Sequence, residues 1–214
     1  MPTVLSAEEI QPVLHRLSVH WSDVEAELGR SFSLQSGYLR ALLDSDLLTL
    51  TNASALVTEP ENEAQRAATS RDLLRQPLLL RFDQVKNAIS ATLSGTAHAA
   101  ALPKKPSPSA SAIITLKAFA DLSEVWGKIN VDTAVPASER PLSVVGGYTK
   151  ESFDSDCTAL RAAFVAVDDS RRSATQRRKD RDSLVPPLRK RLTQYRARVK
   201  SLLPAGHRLL ATLP

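Results

Sequence analysis

The sequence predicts an all-α protein built from two diverged copies of one three-helix module. Two observations support this prediction: an internal repeat at an offset of 110 residues, and apolar residues that recur at helical spacing in both copies. The composition agrees, since 43% of the residues are hydrophobic, 5% are aromatic and only 7 of the 214 are glycine. An aliphatic core with few residues suited to tight turns favours a helix bundle over a β-sandwich.

The repeat is clearest where residues 30–93 align with residues 140–203 without a gap. In this alignment 19 of 64 positions are identical, whereas ordinary residue frequencies would give roughly 4 or 5 identities by chance. Upstream, residues 17–24 align with 122–129, which implies a five-residue insertion in the second copy.

The repeat also predicts the domain organisation. We expect helical repeat 1 over residues 1–102, a Pro/Ser/Lys linker over 103–111, and helical repeat 2 over 112–214. The linker contains three prolines and is expected to be semi-extended and exposed. The two copies would pack either as two small bundles or as one six-helix bundle with pseudo-twofold symmetry.

Each copy carries three apolar stripes at helical spacing, which predict helices A, B and C. In copy one, helix A runs from Ile10 to Leu28 and follows Ser6, a typical N-terminal cap. Helix B is expected to end near Pro60 in copy one and near Asp169 in copy two.

Helix C has the most regular stripe, from Leu74 to Leu93 in copy one. Pro77 and its match Pro187 fall inside this stripe, and a proline within a helix costs about 3 kcal/mol. Burying six apolar side chains contributes roughly 9–18 kcal/mol gross. We therefore expect the helix to persist, with a kink or a fresh start at the proline.

Several polar residues occur in both copies and suggest contacts between helices. If helices B and C form an antiparallel hairpin, residues equally far from its turn face each other. The predicted contacts join Asp46 to Arg71, Asp156 to Arg181, Tyr38 to Arg81, and Tyr148 to Arg191. These contacts would set the register of the hairpins and would not form a catalytic site.

Charge distinguishes the two copies. Residues 1–105 carry a net charge of −2 and residues 106–214 carry +7, and most of the excess lies in 171–200, which has 12 basic and 2 acidic residues. Such a helix either binds an anionic partner or is a solvated face that aids solubility. The candidate anion- or partner-binding residues are Arg177, Arg178, Lys179, Arg189, Lys190, Arg196 and Lys200.

The sequence contains no recognisable catalytic or cofactor motif. It lacks the phosphate-binding loop, the dinucleotide fingerprint, the zinc-protease motif and the nucleophile elbow. His15 and His20 are five residues apart, so they do not share a helix face, and the single cysteine, Cys157, occupies an apolar position. We therefore expect no catalytic residues, no metal and no cofactor.

These observations favour a non-enzymatic helical scaffold or interaction module that contacts a protein partner or self-associates. The alternative is a nucleic-acid-binding protein that uses helix 171–200 without sequence preference. An enzyme with a site in the bundle core is the least favoured hypothesis, because no polar residues converge on the apolar stripes. No signal peptide or membrane-spanning stretch is recognisable, so a cytoplasmic location is expected.

Overall fold

The computed structural model describes residues 6–214. It confirms the all-α fold, with 77% helix and no strand in this range. The helices are α1 (Ala7–Leu28), α2 (Arg40–Thr92), α3 (Ala97–Ala100), α4 (Ala112–Val131), α5 (Lys150–Ser183), α6 (Val185–Leu202) and α7 (Arg208–Ala211). Short 3-10 turns occupy Gln35–Gly37 and Ala137–Glu139.

Helix α1 begins and ends close to the predicted positions. The Glu9 N–H donates to the Ser6 hydroxyl at 3.2 Å, and the Ser6 N–H donates to the Glu9 carboxylate at 2.7 Å. This capping box satisfies two backbone donors at the start of the helix. Gly29 ends the helix in the left-handed conformation, with a φ of 63°. The stripe of helix A is buried as expected.

Helices B and C do not form a hairpin, and this prediction is wrong in both copies. Helix α2 extends for 53 residues through Pro60, and α5 continues past Asp169 to Ser183. Residues 61–70 contain no glycine and include three Ala and two Glu, which favour continuation of a helix. The two ends of α2 lie in separate hydrophobic cores, which offset the cost of Pro60, about 3 kcal/mol.

The two prolines predicted within helix C behave differently. Helix α2 continues through Pro77, whereas a new helix, α6, begins at Val185 with Pro186 and Pro187 in its first turn. Proline is tolerated there because the first N–H groups of a helix have no partner within it. The structure thus confirms the fresh start in copy two and shows an uninterrupted helix in copy one.

The chain divides into two compact units that do not coincide with the sequence copies. Unit 1 comprises residues 1–62 and 171–214, and unit 2 comprises residues 63–170. Helix α2 therefore contributes its first part to unit 1 and the remainder to unit 2, and α5 does the reverse. The repeat boundaries at 1–102 and 112–214 remain a prediction about the sequence.

The core of unit 1 joins α1 and the beginning of α2 to α6. The indole of Trp21 lies 5.1 Å from the Phe32 ring and 5.1 Å from the Tyr195 ring, measured between ring centres. Leu43 and Leu50, on α2, belong to the same buried cluster. The third helix of this core thus comes from the second copy of the sequence.

The core of unit 2 is formed by the corresponding helices: α4, the beginning of α5 and the second part of α2. Trp126 is fully buried, and its indole N–H donates to the carbonyl of Leu142 at 2.9 Å. Phe119 contacts Phe82 and Phe153, with 5.8 Å between ring centres in each pair.

The linker at 103–111 contains no helix, as predicted, but it is held to unit 2. Arg75 is only 6% exposed. One guanidinium nitrogen of Arg75 donates to the carbonyls of Ser107 and Ala110 at 3.0 and 2.8 Å and to the Thr115 hydroxyl at 2.9 Å. The linker is therefore anchored by one buried cation.

Candidate functional site

Unit 1 combines an acidic and a basic part of the chain. Residues 1–62 hold 3 basic and 9 acidic residues, and residues 171–214 hold 13 basic and 2 acidic residues. Unit 1 therefore has a net charge of +5, whereas unit 2 holds 12 residues of each sign. The whole positive excess of the protein belongs to unit 1.

The acidic part neutralises some of these cations directly. Ion pairs that join the two parts include Arg178 to Glu61 at 2.6 Å, Arg208 to Glu27 at 3.1 Å, and Arg181 to Glu8 at 3.4 Å. Exposed ion pairs contribute little to stability. They do, however, show that Arg178, a predicted contact residue, already has a partner within its own unit.

The other predicted contact residues fall into two groups. Arg189 is only partly exposed, and Arg196 donates from its Nε to the carbonyl of Pro214 at 2.5 Å. The others are exposed, and no side-chain partner is found for them among residues 6–214. These exposed cations are Arg177, Lys179, Lys190 and Lys200.

Arg198 shares these properties but was not among the predicted residues. It is exposed, and its guanidinium has no partner within the described range. It also borders an open pocket of about 550 Å³ whose lining includes Ser33, Gln35 and Gln194. The charge run in the sequence includes Arg198, so this signal was sufficient to find it. We call Arg177, Lys179, Lys190, Arg198 and Lys200 the basic surface.

The helix geometry explains why these side chains are available. On α6 the buried residues recur every three or four positions, and Tyr195 and Val199 are fully buried. Lys190 lies on the opposite side of the helix, because side chains repeat every 3.6 residues. No large apolar side chain is exposed anywhere in 171–214.

The corresponding helix of unit 2 has a different outer face. On α2, Leu73 is 70% exposed and Leu80 is 64% exposed. In the alignment of the two copies these positions correspond to Ser183 and Lys190. The basic character is therefore specific to unit 1.

The predicted ion pairs between helices B and C are absent. Asp46 and Arg71 lie on the same helix, α2, 25 residues apart, which corresponds to roughly 38 Å along its axis. Asp156 and Arg181 are separated equally on α5. Each arginine instead pairs with the next residue, Arg71 with Asp72 at 2.7 Å and Arg181 with Asp182 at 2.9 Å.

The tyrosine and arginine that both copies share do contact each other, but each tyrosine contacts the arginine of the other copy. The guanidinium carbon of Arg191 lies 4.2 Å from the ring centre of Tyr38, and that of Arg81 lies 4.4 Å from the ring centre of Tyr148. The predicted pairing of Tyr38 with Arg81, and of Tyr148 with Arg191, is therefore wrong. The continuous helices separate the members of each predicted pair.

Each of these tyrosines also contacts the second aspartate of the Asp-Ser-Asp motif. The Tyr38 hydroxyl donates to Asp46 at 2.6 Å, and the Tyr148 hydroxyl donates to Asp156 at 2.7 Å. Burial, together with the adjacent carboxylate, raises the pKa of both tyrosines above the ordinary value. The phenols therefore stay protonated near neutral pH, where they act as structural donors.

The surroundings of His20 and Cys157 indicate structural roles for both residues. The Nε2 of His20 lies 2.8 Å from the carbonyl of Leu209, and its Nδ1 lies 2.6 Å from the Tyr195 hydroxyl. A carbonyl can only accept, so Nε2 carries a proton and holds the segment around α7. Burial, followed by nearby carboxylates, raises the pKa of the Cys157 thiol to about 12. Within residues 6–214 no three His, Cys, Asp or Glu side chains are grouped as metal ligands would be.

Comparison with protein-family models, curated proteins and solved structures finds no match for this chain. Among the described helices, none combines the length and the apolar character needed to cross a membrane. Evidence about function therefore comes from the chemistry of the surfaces, and the basic surface has the most distinctive chemistry.

Proposed function

We propose that this protein is a non-enzymatic helical interaction module and that the basic surface of unit 1 is its contact site. The observation that carries the proposal is a group of five exposed cations with no acidic partner in the described part of the chain. A face that serves only solubility usually mixes charges of both signs. Here 12 basic residues are accompanied by only Asp180 and Asp182 over 171–200.

We attribute the architecture to a tandem duplication in which the two copies exchanged their third helices. The 19 identities over 64 aligned positions support the duplication. The exchange is supported by the Tyr-Asp-Arg contact, which occurs once in each unit and joins residues at corresponding positions of the two copies. Such a scaffold would present the outer faces of its long helices to partners.

The partner is proposed to be anionic, and the module is proposed to act in the cytoplasm. An acidic protein, the acidic part of a second copy and a nucleic acid all carry the required charge. Interactions of this kind are screened by salt, since the Debye length falls from about 30 Å at 0.01 M to about 10 Å at 0.1 M ionic strength. Binding should therefore be tightest at low ionic strength.

The test compares two matched quadruple variants of the full chain. In the surface variant, glutamine replaces Lys179, Lys190, Arg198 and Lys200. In the control variant, glutamine replaces Lys104, Lys117, Lys128 and Arg161, which are exposed cations of unit 2. Both variants therefore lose three lysines and one arginine. We expect the wild type and the control to bind labelled polyglutamate or labelled DNA at low salt, and the surface variant to lose this binding. Failure of the wild type to bind any polyanion would reject the proposal.

A further inference from the structure

We propose that the partner of the basic surface is the phosphodiester backbone of a double-stranded nucleic acid, bound without sequence preference. This inference rests on the proposed function, because it names the anionic partner of the same surface. Four properties of helix α5 from residue 171 onward and of α6 favour this partner over an acidic protein.

The first property is the lack of apolar surface. The centre of a stable protein–protein interface is enriched in aromatic and aliphatic side chains that become fully buried. In 171–214 every Leu and Val is buried or partly buried, and none is exposed. An interface with nucleic acid is more polar and much more positively charged, and it does not need such a centre.

The second property is the lack of an exposed aromatic ring. Tyr195 is the only Phe, Trp or Tyr in 171–214, and it is fully buried in the core of unit 1. Proteins that bind single strands stack bases on aromatic side chains. The basic surface offers charge without a stacking platform, so it suits a duplex whose bases are already stacked.

The third property is the length of the charged track. Helix α5 ends at Ser183 and α6 begins at Val185, and the intervening Leu184 keeps helical backbone angles, with φ −76° and ψ −21°. The 21 steps from Lys179 to Lys200 correspond to roughly 32 Å along a helix axis. One turn of duplex DNA is about 34 Å long. At about 100° per residue, Lys179, Lys190 and Lys200 lie within about 80° of one another around this track, so these three lysines would meet phosphates over a full turn.

The fourth property is the choice of cation. Of the five cations of the basic surface, two are arginine and three are lysine. The planar guanidinium of arginine binds phosphate oxygens in a bidentate manner, and it is less strongly hydrated than an ammonium group. Arg177 and Arg198 are the exposed arginines of the basic surface, and they lie to the side of the three lysines around the helix.

The experiment measures binding of the full-length protein to a labelled duplex of two helical turns, about 21 base pairs. Fluorescence anisotropy is recorded between about 50 and 200 mM salt, a range in which counterion release has a large effect. We expect the affinity to fall steeply with salt for two duplexes of unrelated sequence alike. The surface variant should reduce the slope of log affinity against log salt by about 4, because each lost phosphate contact removes about 1.

The surface variant should bind roughly 4,000-fold more weakly at about 0.1 M salt from the loss of counterion release alone. The control variant should match the wild type. Tighter binding of the single strand than of the duplex, or equal loss in both variants, would overturn this inference. If polyglutamate of equal charge binds as tightly as the duplex, the inference fails while the proposed anion-binding function stands. If no polyanion binds, both proposals fail.

Discussion

The coupling energy between Tyr38 and Arg191 tests whether each unit combines helices from both copies. The guanidinium carbon lies 4.2 Å from the ring centre, and Tyr38 is 6% exposed. A cation over an aromatic ring contributes about 0.5–1 kcal/mol at an exposed site and about 2 kcal/mol when desolvated. Since Tyr38 is buried and Arg191 is partly exposed, we expect a coupling energy of about 1–2 kcal/mol.

A double-mutant cycle isolates the coupling energy between the two side chains. The variants are Tyr38→Leu, Arg191→Met and the double variant, and their free energies of unfolding are measured by urea denaturation followed by circular dichroism. A second cycle combines Tyr38→Leu with Arg81→Met. Its coupling energy should be near zero, because Arg81 packs on Tyr148 in unit 2.

The two cycles separate the exchanged arrangement from a hairpin within each copy. In the hairpin, Tyr38 would face Arg81, so that cycle would carry the coupling energy and the Arg191 cycle would not. That result would refute the exchanged pairing. Coupling near zero in both cycles would show that the contact with Arg191 contributes nothing to stability.

Three further predictions concern individual polar side chains. Trp126→Phe should destabilise the protein by about 1–3 kcal/mol more than Trp21→Phe in urea melts, because it leaves the buried carbonyl of Leu142 without its donor; equal losses would contradict this. Arg75→Met should cost about 2–3 kcal/mol through the lost charged hydrogen bonds and should speed proteolysis within 103–111; an unchanged cleavage rate would reject the anchoring role. With its pKa near 12, Cys157 should react with iodoacetamide at pH 8 roughly 40-fold more slowly than in the unfolded chain. This reaction should accelerate about tenfold per pH unit as the thiolate fraction rises; a rate that is flat with pH would contradict the raised pKa.

The sequence was sufficient to predict the helices because a stripe with a period of 3.6 is a local property. The stripe of helix A is buried in α1 as predicted. Pro60 predicts the end of helix B, but a proline alone does not create a turn. A better signal was the absence of glycine between Gly37 and Gly95, and again between Gly147 and Gly206. These four glycines have positive φ and lie beyond the ends of the long helical segments.

The partners within the cores could not be predicted from the repeat itself. Because Tyr38 matches Tyr148 and Arg81 matches Arg191, pairing within a copy and pairing between copies use identical residue types. Sequence patterns therefore identified the residues that make contact but not which copy supplies each one. Only the continuity of α2 and α5 distinguishes the two possibilities.

The same ambiguity explains why the basic surface could be predicted only in part. The charge run over 171–200 is visible in the sequence, but Glu8 and Glu61, two of the carboxylates that pair with it, belong to the other copy. Glu61 removes Arg178 from the set of available cations, and no pattern within 106–214 could have indicated this.

The proposed duplication would account for the different outer faces of the two long helices. Core positions stay apolar in both copies, as in Leu78 and its match Leu188, because a large-to-small change there costs about 2–5 kcal/mol. Exposed positions are free to diverge, since substitutions there usually change stability by less than about 0.5 kcal/mol. Leu80 in one copy and Lys190 in the other illustrate this freedom. Repulsion among the accumulated cations is countered in unit 1 by the net charge of −6 over residues 1–62. The acidic part therefore allows unit 1 to fold with a basic helix, and the cations that exceed this neutralisation are those available to a partner.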